Sequence, residues 1–80
     1  MVFVKFFTSH QRFTHYFVGA SLDDVLADTH GGTEFGNHTF KGYRIISEKT
    51  ARNLKLGYLE KGIAAIKNGA TKSFMLSPPS

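Results

Sequence analysis

The side chains best able to do chemistry are four histidines, all in the first half of the 80-residue chain, and six carboxylates. His30, Glu34 and His38 recur at intervals of four, the spacing that stacks metal ligands on one face of a helix. Gly31, Gly32 and Gly36 lie among them, so no helix is expected there and the three read as polar loop residues. His10 and His15 with Lys5 form a second set, chemically able to divide general-base and general-acid work. Alternation separates that pair, because His10 falls in a turn and His15 on a strand. Gly31-Gly32 lacks the preceding strand and following helix that would make it a phosphate cradle, so it reads as a helix stop. There is no serine in a nucleophile elbow, no phosphate loop with its Lys-Ser/Thr, and no His-Glu-x-x-His run. The expectation is a protein that is not an enzyme, with no metal and no cofactor.

Charge is more informative. The formal net charge of +4 hides a split along the chain. Lys5 and Arg12 face Asp23, Asp24, Asp28 and Glu34 in residues 1–40, whereas eight lysines and arginines face only Glu48 and Glu60 in residues 41–80. A one-sided basic surface attracts nucleic acid or an acidic protein face. Cysteine is absent, which rules out disulfides and thiolate metal sites and makes the cytoplasm the default compartment. The longest apolar stretch, residues 2–7, is broken by Lys5 and far shorter than the roughly 20 residues of a membrane helix. No basic region precedes it and no small-residue cleavage site follows, so Met1 reads as the start of a leaderless chain with no membrane partner.

The elements that must position these groups follow from period and punctuation. Residues 2–7 are aromatic and β-branched, a strand; residues 8–11 turn; residues 12–18 alternate as a second strand. Ser21 can cap a helix by accepting from the Asp24 amide, and Asp23 and Asp24 suit its positive end. That helix should stop near Thr29-His30. Residues 31–41 read as a loop with one short extended piece at Thr39-Phe40, before a third strand over 42–46. Ser47 or Thr50 caps a second helix reaching Lys67, with Asn68-Gly69 as its stop. Leu56, Leu59, Ile63 and Ile66 make its core stripe. Ala51, Leu54, Tyr58 and Ala65 make a second strip, which requires cover on two sides, a kink at Gly57 or Gly62, or a partner or second copy of the chain. A last strand falls in residues 71–76. The expected fold is a single α+β domain over residues 1–77, order β-β-α-β-α-β, with a mostly antiparallel sheet, two helices and a short tail at 78–80.

Two resemblances bear on function. Residues 2–7 resemble the first conserved strand of RNA-recognition motifs, and residues 41–46 the opening of their longer signature strand, where aromatics stack bases. Arg44 stands where that family has a small residue, Ile45 and Glu48 replace two stacking aromatics, and the strand order differs. This likeness implies a small domain holding single-stranded RNA or DNA mainly through phosphates, with Tyr43 and Phe40 interleaved. A broader likeness runs from residue 15 to 46. Tyr16, Phe17, Val18, Gly19, Ala20, the Ser21 cap with Leu22, Asp23 and Asp24, and then Gly42 to Ile46 resemble the strand–capped helix–strand plan of small phage inhibitors, including anti-CRISPR proteins and the RNA polymerase inhibitor of T7-like phages.

That second resemblance implies a non-catalytic protein of the host-cell cytoplasm. It would sterically block a host nucleoprotein complex, a CRISPR effector or an RNA polymerase, as a monomer or homodimer. No contact residue carries over by position. The basic half supplies the candidates: Lys41, Tyr43 and Arg44 on the third strand, and Arg52, Lys55, Tyr58 and Lys61 on the second helix, since aromatic and Arg anchors carry most interface energy.

Overall fold

The computed structural model describes residues 1–8 and 14–78. Its elements are β1 (Val2–Thr8), β2 (Thr14–Gly19), α1 (Leu22–Asp28), β3 (Glu34–Phe35), β4 (His38–Ile46), α2 (Glu48–Asn53), α3 (Leu59–Lys67) and β5 (Ser73–Leu76). The strands form one sheet in the order β3-β4-β1-β2-β5, and every neighbouring pair is antiparallel. The α+β class is as expected, with one more strand and one more helix. The expected turn at 8–11 falls largely outside the described residues. No helix among the described residues is long and apolar enough to cross a membrane.

β1 is the central strand and carries buried residues on both faces, Phe3 on one and Val4 and Phe6 on the other, which is why residues 2–7 are apolar without alternating. Val4 and Phe6 turn to one side, where Phe17, Phe40 and Val25 of α1 complete a core. Phe3 turns to the other and joins Tyr16, Val18 and Leu76 beneath Ala51, Leu56, Leu59, Ile63 and Ile66. Ser21 caps α1 as its sequence suggests, accepting from the Asp24 amide at 3.2 Å. The buried Thr29 closes that helix, its hydroxyl donating to the Val25 carbonyl at 2.8 Å. The Ser73 hydroxyl donates to the Asp28 carboxylate and ties the end of α1 to β5.

Within residues 31–41, Thr39 and Phe40 are extended as expected, but the segment before them is a hairpin and not a plain loop. Glu34 pairs Thr39 and Phe35 pairs His38, so Gly36-Asn37 is a two-residue hairpin turn, with Gly36 at φ 57°. Gly-Asn is a recognised hairpin pair, and glycine adopts this left-handed conformation without a Cβ penalty. A bulge then reorders β4. Phe7 opposes Gly42 but Thr8 opposes Phe40, so Lys41 is left unopposed. A regular strand would put Phe40 on the Phe7 face; the extra residue moves it to the Phe6 face. There its ring stacks on Phe6 with centroids 4.5 Å apart.

The single second helix of the sequence reading is two helices. Between them Lys55 and Tyr58 adopt positive φ, 55° and 62°, and Leu56 enters the core. Gly57 leaves the helix to make a two-way bridge with Ser77: its amide donates to the Ser77 carbonyl at 2.9 Å, and the Ser77 amide donates back at 3.0 Å. A Cβ on residue 57 would lie 2.7 Å from the Ser77 Cβ. The second apolar strip therefore never forms. Ala51 is fully buried and Leu54 packs against the same core, while Tyr58 is exposed. At Gly62, the other expected kink, α3 runs through unbroken.

Candidate functional site

β4 carries three of the seven candidate contact residues, and its position in the sheet decides what they can do. One edge of β4 is paired to β1 from Phe40 to Ile46. On the other edge β3 covers only His38 and Thr39. Among the described residues no strand covers that edge over residues 41–46. Backbone N–H and C=O groups of an edge strand alternate toward the open side and form a template for another strand.

Side chains on this strand divide between two faces. Tyr43 opposes Phe6 and Ile45 opposes Val4, so both lie on the α1 side, yet they are 40% and 53% exposed. The Tyr43 ring sits 5.8 Å from that of Phe6 and is backed by Gly32, where a Cβ would come within 2.8 Å of it. Arg44 opposes Lys5 on the side of α2 and α3. Phe7 shares that side, half-buried, with the Lys5 ammonium 5.3 Å from its ring centroid. Lys41 is exposed at the bulge.

The other four candidates lie on or between α2 and α3 and do not act alike. Arg52 pairs Glu48 at 3.0 Å and also Glu60, joining the two helices. Its charge is already matched, so the structure gives it a structural place and not a free contact. Reversing it would set three carboxylates side by side and test the helix pair instead of a partner. Lys55 and Tyr58 occupy the break, Tyr58 being 63% exposed, and the Lys61 ammonium lies 6.0 Å from its ring centroid. These three make a second exposed aromatic and basic group.

The histidines are regrouped. His30 is exposed after α1 and Glu34 is exposed on β3, and no three His, Cys, Asp or Glu side chains among the described residues are placed to share a metal ion. His10 lies outside the described residues. His38 instead meets His15, with ring centroids 4.3 Å apart, beside Phe40. Burial, and then the neighbouring His38, hold the His15 pKa below the ordinary 6.5. The folded state thus binds fewer protons than the unfolded chain. Stability should be level above about pH 7 and fall as pH drops below about 6.5, before the carboxylates titrate. Urea midpoints measured from pH 8 to 5.5 check this, and His38→Asn should reduce the slope by removing the like charge.

Sequence reasoning named Lys5 only beside His10 and His15, did not count Ile45 or Phe7 among the contacts, and did not pair His15 with His38. Alternation on β1 and β4 places each on a face, but which face is covered, and which edge is open, depends on strand order.

Among the described residues the fold and site define a small antiparallel α+β domain with helices on both faces and a β4 edge that no strand covers over residues 41–46. No protein-family model, curated protein or solved structure matches the chain. The likenesses to phage inhibitors and to RNA-recognition motifs thus rest on the quoted residues alone.

Proposed function

We propose that the protein is a non-catalytic binding module that blocks a host nucleoprotein complex, a CRISPR effector or an RNA polymerase, by pairing its β4 edge with an extended segment of the partner. The observation that carries this is the open edge over residues 41–46, flanked by the exposed apolar pair Tyr43 and Ile45. In strand addition the backbone bonds supply affinity and alternate side chains supply choice. Tyr43 and Ile45 are the apolar anchors, and Lys41 and Arg44 favour an acidic segment over a basic one. The same two cations disfavour antiparallel pairing of β4 with a second copy of itself. The Lys55, Tyr58 and Lys61 group provides a further contact.

Capture of a bacterial host's complexes on the tagged protein, after nuclease treatment, tests it against the variant Arg44→Glu/Ile45→Asp. Both side chains are exposed, so the variant should keep its melting temperature. The expected result is one dominant complex that survives nuclease on the parent protein and is lost on the variant. Equal capture by both would overturn the edge as the site.

A second reading has its own observation. Lys5, Phe7 and Arg44 put two cations and an aromatic ring on one sheet face, a combination that holds single-stranded RNA or DNA by phosphate contact and stacking. It predicts binding to bare oligonucleotide that weakens steeply with salt and is lost in Lys5→Glu.

A further inference from the structure

We propose that His15 and His38 form a binding site for a late first-row divalent cation, Cu²⁺, Ni²⁺ or Zn²⁺. The two imidazoles come from strands that are not neighbours, since β1 lies between β2 and β4. They meet because the β3–β4 hairpin curls back across the α1 side of the sheet, where Phe35 also packs edge-on against Phe17 of β2. The ring centroids lie 4.3 Å apart, close to the roughly 4.5 Å of two cis imidazoles on one square-planar or octahedral ion and shorter than the roughly 5 Å of a tetrahedral one, for metal–N bonds of about 2.0–2.1 Å.

The His15 Nε2 is buried and has no hydrogen-bond partner. A buried polar nitrogen without a partner is uncommon and calls for a ligand, water or ion. The ring packed against His15 is a second imidazole, a ligand type suited to Zn, Cu and Ni. Phe40, 5.6 Å from His15, walls one side with carbon. His38 is only half-buried, which leaves coordination positions for water. Among the described residues neither Glu34 nor His30 completes a three-residue set, so the described donors are the imidazole pair. A bound ion would pin the β3–β4 hairpin to β2.

Titration of the tag-free protein with CuCl₂, NiCl₂ and ZnCl₂ at pH 7.5, followed by histidine NMR resonances and by the melting temperature, tests the site. The expected result is one saturable site that shifts the His15 and His38 resonances, raises the melting temperature, and binds Cu²⁺ more tightly than Zn²⁺. His38→Ala should weaken it by at least about tenfold, the lower end of what loss of even an outer-shell partner does to a metal site. His30→Ala should leave it unchanged, and binding should weaken at pH 5.5 as protons compete. Absence of saturable binding, equal binding by His38→Ala, or loss in His30→Ala would each overturn the proposal. Because His38→Ala keeps His15 in place, the test does not depend on a variant of the more buried ring.

Discussion

Phe6→Ala is expected to remove about a quarter or more of the domain's stability at 25 °C. Phe6 is fully buried on the central strand. It stacks on Phe40, meets Phe17 edge-on at 5.2 Å and touches Tyr43. Truncating a buried phenylalanine costs about 3–5 kcal/mol, through lost transfer energy and the cavity left behind. A domain of this size has in total about 4–12 kcal/mol, and three rings would collapse only partly into the void. Circular dichroism against urea checks this: the midpoint should fall by at least about a quarter, and to near zero where the parent's stability is at the low end of that range. A midpoint close to the parent's would mean that the Phe17 and Phe40 cluster holds without its centre. Tyr43 and Ile45 would lose their support along with the core, so binding at the β4 edge should fail in the same variant.

Gly19→Ala is the second large effect. The residue ends β2, where it pairs with β1 and β5 and passes under α1. A Cβ there would stand 2.4 Å from Val25 Cγ2, with the Lys72 and Ser21 carbonyl oxygens at 3.2 and 3.3 Å. Val25 is fully buried and β-branched, so it has little freedom to turn away. Overpacking of this kind costs about 1–3 kcal/mol, which in a domain this small lowers the melting temperature by roughly 4–24 °C. Gly62→Ala is the control. Its Cβ would press on side-chain atoms of Phe74, Leu76 and Val18 at 2.9–3.1 Å, but replacing a mid-helix glycine gains about 1 kcal/mol of helix propensity. The two terms offset, and its melting temperature should stay within a few degrees of the parent's. A large loss at Gly62 with none at Gly19 would show that α3, and not α1, sits against a rigid surface.

These variants probe contacts that differ in how far they could be read in advance. Ser21 and Asp24 lie three residues apart and their bond forms as their spacing suggests. Ser47 caps α2 in the same way, accepting from the Thr50 amide at 3.1 Å. The β1 and β2 strands and the core role of Leu59, Ile63 and Ile66 were likewise legible, because period and side-chain type act locally, whereas Leu56 is buried from the break between the helices and not on a helical stripe. The Gly36-Asn37 turn was not read, because three glycines and the absence of a period concealed a hairpin whose first strand has only two residues.

What the amino-acid order decided on its own is the α+β class, the apolar centre at β1, the capped helix α1 and the basic second half. Each of these follows from neighbours within a few residues or from composition. Tertiary structure alone decided the rest. The break between α2 and α3 arises because Gly57 pairs with Ser77, twenty positions on, in place of a helical bond. Arg52 became a link between two helices because that break brings Glu60 to it. The bulge at Lys41 turned Phe40 inward, and strand order left the β4 edge open and set His38 against His15. Each of these outcomes is a contact between segments far apart in the chain, whose energy depends on which faces and edges the completed sheet leaves uncovered.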